Sequence, residues 1–342
     1  FDKYNDKVNF SSPVSGEVTA IVRGEKRKIL EVVIKADAEI AYEDFAVATS
    51  NSLSREQIID SMLMAGVWPF VRQKPYDIIA NPIDMPKSIF ISAFNTAPLT
   101  IDNDFALYGM DELFQKGLDY IVKLTSGKTH LNIDGNTNPS KLFTEAKGVE
   151  INKISGAHPA GNVGVQMHHI DPINKGEMVW YLEPQDVIAI ARLFTEGKYD
   201  VSRIIALGGA QVAKPRYYRT ISGASIANLL VDNLKEGDNR VISGDILSGQ
   251  QIDENGTLGF YHTTVTVIEE GKEQEFLGWI LPVINKLSFQ RAFGLFSFLN
   301  PKKKYNLNTN TNGELRAFVQ TGVFSKVLPM DILPTYLFKA IL

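Results

Sequence analysis

Ser88-Ile89-Phe90-Ile91-Ser92-Ala93-Phe94, running directly into Asn95-Thr96-Ala97-Pro98-Leu99, is the stretch that decides the fold. Its apolar run carries no alternating polar face, so it reads as a strand covered on both sides, as in a parallel sheet. The flanks agree. Ser54 stands three residues before Gln57, the spacing of a helix capping box, and Ile58, Ile59, Met62 and Leu63 then recur on one helical face. Gly66 and Pro69 close that helix. Downstream, residues 107–124 read as a helix, 129–133, 149–154 and 176–182 as strands, and 184–194 as a helix with Pro184 in its first turn. Strands and helices in alternation predict a Rossmann-like α/β domain over 51–200 with a mostly parallel sheet. The proline-rich residues 73–87 read as an ordered loop.

The texture differs on either side. Residues 1–50 hold short β-branched runs, 18–22 and 29–34, between Pro/Gly turns at Ser12-Pro13-Val14-Ser15-Gly16 and Gly24, which suggests a small barrel-sandwich hybrid module. Over 201–285, strands at 204–209, 217–221, 240–242, 258–268 and 275–281, with one helix at 225–234, suit a β-grasp module. Residues 286–342 read as a connecting segment and the start of a helical part. The expected fold class is therefore multidomain α/β.

Composition narrows function mainly by exclusion. The 342 residues are 44% hydrophobic and 22% charged, values typical of a globular protein. A net charge of −4 gives no basic face for nucleic acid. With no cysteine, the sequence offers no disulfide, no thiolate nucleophile and no Cys ligand for zinc or iron–sulfur clusters. No apolar run is long enough to span a bilayer, and no signal-peptide pattern opens the chain. Phe1 starts it without Met, and residues 336–342 end it inside an apolar, helix-like run, so a piece of a longer protein is expected.

Gly156-Ala157-His158-Pro159-Ala160-Gly161-Asn162-Val163-Gly164 is glycine-rich, but Asn162 stands where a phosphate loop needs Lys, and the next element reads as a strand. It is either a structural loop or a ligand-contacting one, His158 and Asn162 being its candidate contacts. His168 and His169, in a strand, point to opposite faces and cannot clamp one metal; His130 and His262 lie elsewhere, so no metal site is expected. His168 remains a candidate ligand contact, with a hydrogen-bonded core histidine as the alternative. Asn95, Thr96, Asp102 and Asp104 follow the buried strand, where open α/β sheets bind ligands; they would hold a cation or a ribose, or else form an Asx turn capping the next helix. Phe289, Phe293, Phe296 and Phe298, followed by Lys302, Lys303 and Lys304, predict an exposed partner-docking surface, against packing in a connecting core. No nucleophile elbow, zinc-protease motif or dinucleotide fingerprint is present, so no catalytic residue is named.

Taken in order, Ser12-Pro13-Val14-Ser15-Gly16, residues 89–99 leading to Asp102 and Asp104, residues 156–161, Arg219-Thr220-Ile221-Ser222-Gly223-Ala224 and Arg240-Val241-Ile242-Ser243-Gly244 resemble one family. It is the A subunit of the bacterial sodium-translocating NADH:quinone oxidoreductase. The resemblance implies a barrel-sandwich hybrid, a Rossmann-like domain, a soluble-ligand-binding β-grasp domain and a C-terminal helical part. It also implies a place on the cytoplasmic face of the bacterial inner membrane, held there by the other subunits. Distant relatives, the flavin-binding subunit of complex I and the C subunit of Rnf complexes, hold FMN on a Gly-rich loop and clusters on cysteines. At the matching place this chain has Val67-Trp68-Pro69-Phe70-Val71-Arg72-Gln73-Lys74-Pro75. The resemblance thus implies a subunit with no cofactor of its own that interacts with ubiquinone or menaquinone, while NADH, FAD, FMN, the 2Fe-2S cluster and Na+ belong to partner subunits. The alternatives are a pure scaffold or an FMN- and NADH-binding redox subunit.

Overall fold

The computed structural model describes residues 5–272, 303–310 and 322–341. Strands β1 (Gly16–Arg23) and β2 (Ile29–Ala36) pair antiparallel, with irregularities at Val18/Ala20 and Val22/Arg23. Two strands alone cannot enclose a core. Val18, Leu30 and Val32 accordingly stay 54%, 56% and 50% exposed.

The chain then enters its main core through α1 (Arg55–Ala65). The Ser54 hydroxyl accepts from Gln57 N at 3.3 Å while Gln57 Oε1 accepts from Ser54 N at 2.8 Å, the reciprocal cap expected. Gly66 ends the helix in the left-handed region, φ 75°, and any Cβ there would strike Ser11. Beyond it come β3 (Arg72–Lys74), β4 (Ile78–Ile79) and β5 (Ser88–Ser92), then α2 (Asn103–Ala106), α3 (Asp111–Ile121), β6 (Lys128–Asp134), α4 (Lys141–Thr144), β7 (Glu150–Ile154), α5 (Val163–Ile170), β8 (Val179–Leu182) and α6 (Pro184–Glu196). The six strands run in the order β4-β3-β8-β5-β6-β7. β8, β5, β6 and β7 are mutually parallel; β3 is antiparallel to both its neighbours. β5 is buried throughout, as its unbroken apolar run requires. Helices α3 and α6 cross so closely that a Cβ on Gly117 would collide with the Val187 carbonyl.

Three local expectations are corrected. Residues 73–87 are not only loop, because Arg72–Lys74 and Ile78–Ile79 form a short ribbon that extends the sheet. The helix expected over 107–124 begins only at Asp111, as α3, because Gly109 at φ 78° breaks the chain between the short α2 and it. The strand expected after Asn162 is the helix α5. Its sequence, Val-Gly-Val-Gln-Met-His-His-Ile, is too short for periodicity to choose, and the element is fixed by tertiary contacts: Val165, Gln166 and Met167 are buried, with Gln166 Oε1 accepting from Asn132 Nδ2 at 2.8 Å.

The last sheet comprises β9 (Ser202–Gly208), β10 (Arg216–Ile221), β11 (Asn239–Ser243), β12 (Gln250–Ile252) and β13 (Thr264–Glu269), ordered β10-β9-β13-β11-β12. β9 and β13 are parallel and the other pairs antiparallel. The helix expected at 225–234 shrinks to α7 (Ala227–Leu230). Two short helices, α8 (Val323–Val327) and α9 (Pro334–Ile341), lie near the C-terminus. The strand expected at 275–281 falls outside the described residues, as do Phe289, Phe293, Phe296, Phe298 and Lys302. Lys303 is half-buried with its ammonium 5.2 Å from the Tyr305 ring, and Lys304 is exposed.

Candidate functional site

Two segments picked separately from the sequence meet at the carboxyl edge of the sheet. Thr96 Oγ1 accepts from Gly161 N at 2.9 Å and lies 3.2 Å from His158 Nδ1. Gly161 sits so tightly on the Asn95-Thr96 backbone that a Cβ would overlap it, so this glycine serves close approach rather than a phosphate. Asn95 Oδ1 accepts from Ala97 N at 2.9 Å. Asp102 Oδ1 accepts from Asp104 N at 2.9 Å and Phe105 N at 3.3 Å, an Asx cap on α2. Asp104 Oδ1 accepts from Ser140 N at 2.7 Å. Both carboxylates are thus engaged by backbone.

Across from His158 stands Asp245. Burial works against its ionised form, but hydrogen bonds from the Ser248 hydroxyl and the Leu247 and Ser248 N–H groups, together with the charge of His158, hold its carboxyl below the usual range. Asn162 sits exposed at the N-terminus of α5 and makes no side-chain cap bond. His168 and His169 lie in the last turn of that helix, not in a strand, and their rings stand edge to face at 5.2 Å. His168 Nε2 accepts from Asp331 N at 3.2 Å, and His169 Nε2 lies 2.6 Å from the Pro329 carbonyl. The pair holds the C-terminal piece. Among the described residues no group of three or more metal-ligating side chains gathers.

A second constellation, which sequence reading missed, lies where α6 begins. Arg203, only 4% exposed, reaches from β9 to Asp186 Oδ1 at 2.7 Å, and its Nε has no acceptor among the described residues. Arg72 Nε is likewise buried and unmatched, while its terminal nitrogen pairs with Asp77 at 3.0 Å. Tyr181 donates to Asp77 Oδ1 at 2.5 Å. Burial raises that phenol, and the bond to Asp77 adds to the rise. Glu183, just past β8, has its N–H on Asp186 Oδ2 at 3.0 Å. The residue as a whole is exposed. Burial, reinforced by the Asp186 carboxylate, pushes its carboxyl up to about 7 despite Arg203 and Arg72. A signal existed: a single Arg opening an apolar strand, Arg203-Ile204-Ile205-Ala206-Leu207, asks for a buried partner.

Aromatic rings wall this seam. Phe70 stacks on Phe260 at 5.2 Å, with the Arg203 guanidinium 4.9 Å from the Phe70 ring. Arg72 lies 4.1 Å from the Tyr261 ring, and the Tyr261 hydroxyl donates to the Pro69 carbonyl at 3.0 Å. Trp68 is fully buried, donates to Ala80 O at 2.7 Å and meets Trp180 edge to face at 5.4 Å. The segment after α1 is therefore filled with its own side chains, and an FMN phosphate, which needs close approach to bare backbone, does not fit there. Nearby, Tyr199 lines a cavity of about 520 Å3 together with Ser11, Tyr42 and Phe45. Burial pushes its phenol up to about 12 against the pull of Arg203.

No helix among the described residues is long and apolar enough to cross a membrane. Three family descriptions match the chain: an NqrA N-terminal barrel-sandwich hybrid domain over residues 1–37, an NqrA second alpha/beta domain over 53–199, and an NQRA C-terminal domain over 204–254. The A subunit of the Na(+)-translocating NADH-quinone reductase of Pasteurella multocida is 40% identical over 343 residues, covering 99% of this chain and 75% of that protein. Its namesake from Yersinia pestis bv. Antiqua is also 40% identical, over 345 residues, covering 100% and 76%. Among solved structures, an air-oxidised NAD+-reducing NiFe hydrogenase aligns with 14% identity and a TM-score of 0.48, over 65% of this chain and 48% of that one, a likeness that carries no functional weight.

Proposed function

The chain belongs to the family of the A subunit of the Na(+)-translocating NADH-quinone reductase, and from that premise we propose that it works within that oxidoreductase complex with no cofactor of its own, interacting with quinone and docking on the membrane subunits from the cytoplasmic face. Electron carriers and sodium passage fall to the partner subunits in this reading, and ubiquinone or menaquinone is the small-molecule ligand. The observation that carries it is the aromatic filling after α1: Trp68 and Phe70 are fully buried where flavin-holding relatives need bare backbone. A scaffold keeps its shape when a cofactor pocket is filled in this way, and it still offers loops and seams to a ligand or partner.

The test is a titration of the full-length protein with ubiquinone-1. Saturable binding is expected, and its absence removes the quinone part of the reading. The same protein should show no yellow chromophore and no FMN-dependent rise in melting temperature; such a rise would restore the flavin alternative.

A second reading, a pure assembly scaffold, is favoured by apolar surface left open among the described residues, including Val18, Leu30 and Val32 on the ribbon and Leu333, Tyr336 and Ile341 at α9. It predicts that Phe293→Asp or Phe296→Asp blocks complex assembly while leaving quinone affinity unchanged.

A further inference from the structure

We propose that the outer edge of β10 is a docking site for an extended, acidic segment of another protein subunit, which adds to the last sheet as a further strand. This rests on the chain working within a complex, as proposed above, and not on its interaction with quinone.

The edge follows from the register. β10 ends its sheet, with β9 as its only strand neighbour among the described residues. Gln185 takes both the N–H and the carbonyl of Ile204, and Ala206 N donates to the Thr263 carbonyl at 2.9 Å, so β9 turns these backbone groups away from β10. Ile204 lies opposite Arg219, and Ala206 opposite Tyr217. Pairs of this kind exchange no hydrogen bond, and both residues aim their backbone outward. Arg219 and Tyr217 therefore each present an N–H and a carbonyl at the outer edge, and none of these groups meets a backbone partner among the described residues. Alternating donors and acceptors at strand spacing match another polypeptide backbone, whereas a phosphate or a lipid headgroup would leave the carbonyls unmet.

Charge selects the partner. Between Asp200 and Asp232 the sequence contains no acidic residue, in a chain whose net charge is −4. Lys214, Arg216 and Arg219 fall in that stretch and are all exposed. None of the three forms an ion pair with a described residue. A second copy of the same edge would set cations against cations. The surface thus disfavours pairing with itself and favours aspartate or glutamate across from Arg216 and Arg219.

The surroundings of the edge fit the same occupant. Arg219 shares its face of the sheet with Ile204, and both line a cavity of about 20 Å3 together with Ile188, Arg192 and Ser202. That volume admits one oxygen of water size. Arg192 Nη1 donates to Asp200 Oδ2 at 2.9 Å and to Ser202 Oγ at 2.7 Å, so its charge is already balanced while that of Arg219 is not. Alternate side chains of an added strand point to this face, and a carboxylate there would both enter the cavity and offset Arg219. Close by, Phe105 is 57% exposed with its ring 4.3 Å from that of Tyr217, and Tyr108 is 88% exposed. Arginine and tyrosine around a small pocket are the residues that anchor protein interfaces.

The experiment is hydrogen–deuterium exchange, read by mass spectrometry, on the full chain alone and in the natively purified complex, for the wild type and for Arg216→Glu/Arg219→Glu. In the wild type, the peptide spanning residues 214–221 should exchange about tenfold more slowly in the complex than alone. The double variant should keep its melting temperature, since both side chains are exposed, and should recover the other subunits about tenfold less well. Equal exchange of residues 214–221 in the two states, or full recovery of the subunits by the folded double variant, overturns the docking site while leaving the complex intact. Protection of this peptide in the isolated chain that rises with its concentration, or on adding anionic vesicles, gives the edge to a second copy or to lipid and overturns the proposal as well. A wild type that brings down no other subunit overturns both the docking site and the reading it rests on.

Discussion

The β1–β2 ribbon and the seam where α6 meets β9 place their side chains in opposite ways. The ribbon holds Val18, Ile21, Leu30 and Val32 against solvent. The seam encloses Arg203, Asp186 and Gln185 beneath the rings of Phe70 and Phe260. Apolar surface exposed over two strands contributes little to stability, because the same atoms meet water before and after folding. Buried charge is different. Each group there was stripped of water and depends on one or two fixed partners, so the seam tolerates little change and sets how the two sheets sit together. Gln185 strengthens that link, donating to the Ile204 carbonyl and accepting from Ile204 N, both at 2.8 Å.

The sharpest contrast comes from removing one partner in each region. Asp186→Ala leaves the Arg203 guanidinium buried and unpaired, and urea unfolding should show a loss of about 3–5 kcal/mol. Phe70→Ala should cost a comparable ~3–5 kcal/mol, since that ring packs on both Phe260 and Arg203. If either change is neutral, the seam is not what joins the sheets. Gly161→Ala, which forces a Cβ into the Asn95-Thr96 backbone, should cost about 1–3 kcal/mol and slacken the contact between the two loops, visible as faster amide exchange at Gly161. Val32→Ala on the ribbon should stay within about 0.5 kcal/mol of wild type; a large loss there would mean the ribbon is covered.

pH separates the seam from the last sheet in sign. The folded-state carboxyl of Glu183 titrates near 7, above its ordinary value of 4.5, so between those values the unfolded chain has released a proton that the folded chain keeps. Stability should fall as pH rises across that window, and Glu183→Gln should flatten the fall. His262 behaves oppositely. Burial lowers its imidazole against the pull of Asp245, so its contribution is complete above about pH 6.5 and is lost as pH drops below that. Urea midpoints taken from pH 4.5 to 8 on wild type, Glu183→Gln and His262→Gln would resolve the two slopes.

Much of the fold can be read from local chemistry. The Ser54/Gln57 cap, the Gly66 stop, the Pro184 start and the doubly covered β5 each depend on residues a few positions apart. Sequence reading fails where neighbours along the chain do not decide. Residues 163–170 form a helix because Gln166 is held by Asn132, 34 residues away. The candidate residues at 95–96 and 156–161 read as two sites, and only a contact across 65 residues, at Thr96 and Gly161, makes them one. Asp102 and Asp104 have the spacing of a cation or ribose site, yet each is engaged by backbone N–H groups. Arg203 at the head of an apolar strand asks for a buried partner, but the sequence does not name Asp186, because the pair joins a helix cap to a strand of the next sheet.

The most direct measurement is photo-cross-linking of an azido-ubiquinone to the natively purified, assembled complex, followed by peptide mapping of this chain. Labelled peptides from this chain, suppressed by excess ubiquinone-1, are the predicted result. Labelling confined to the other subunits, with this chain untouched at saturating probe, would contradict a quinone-contacting role for it.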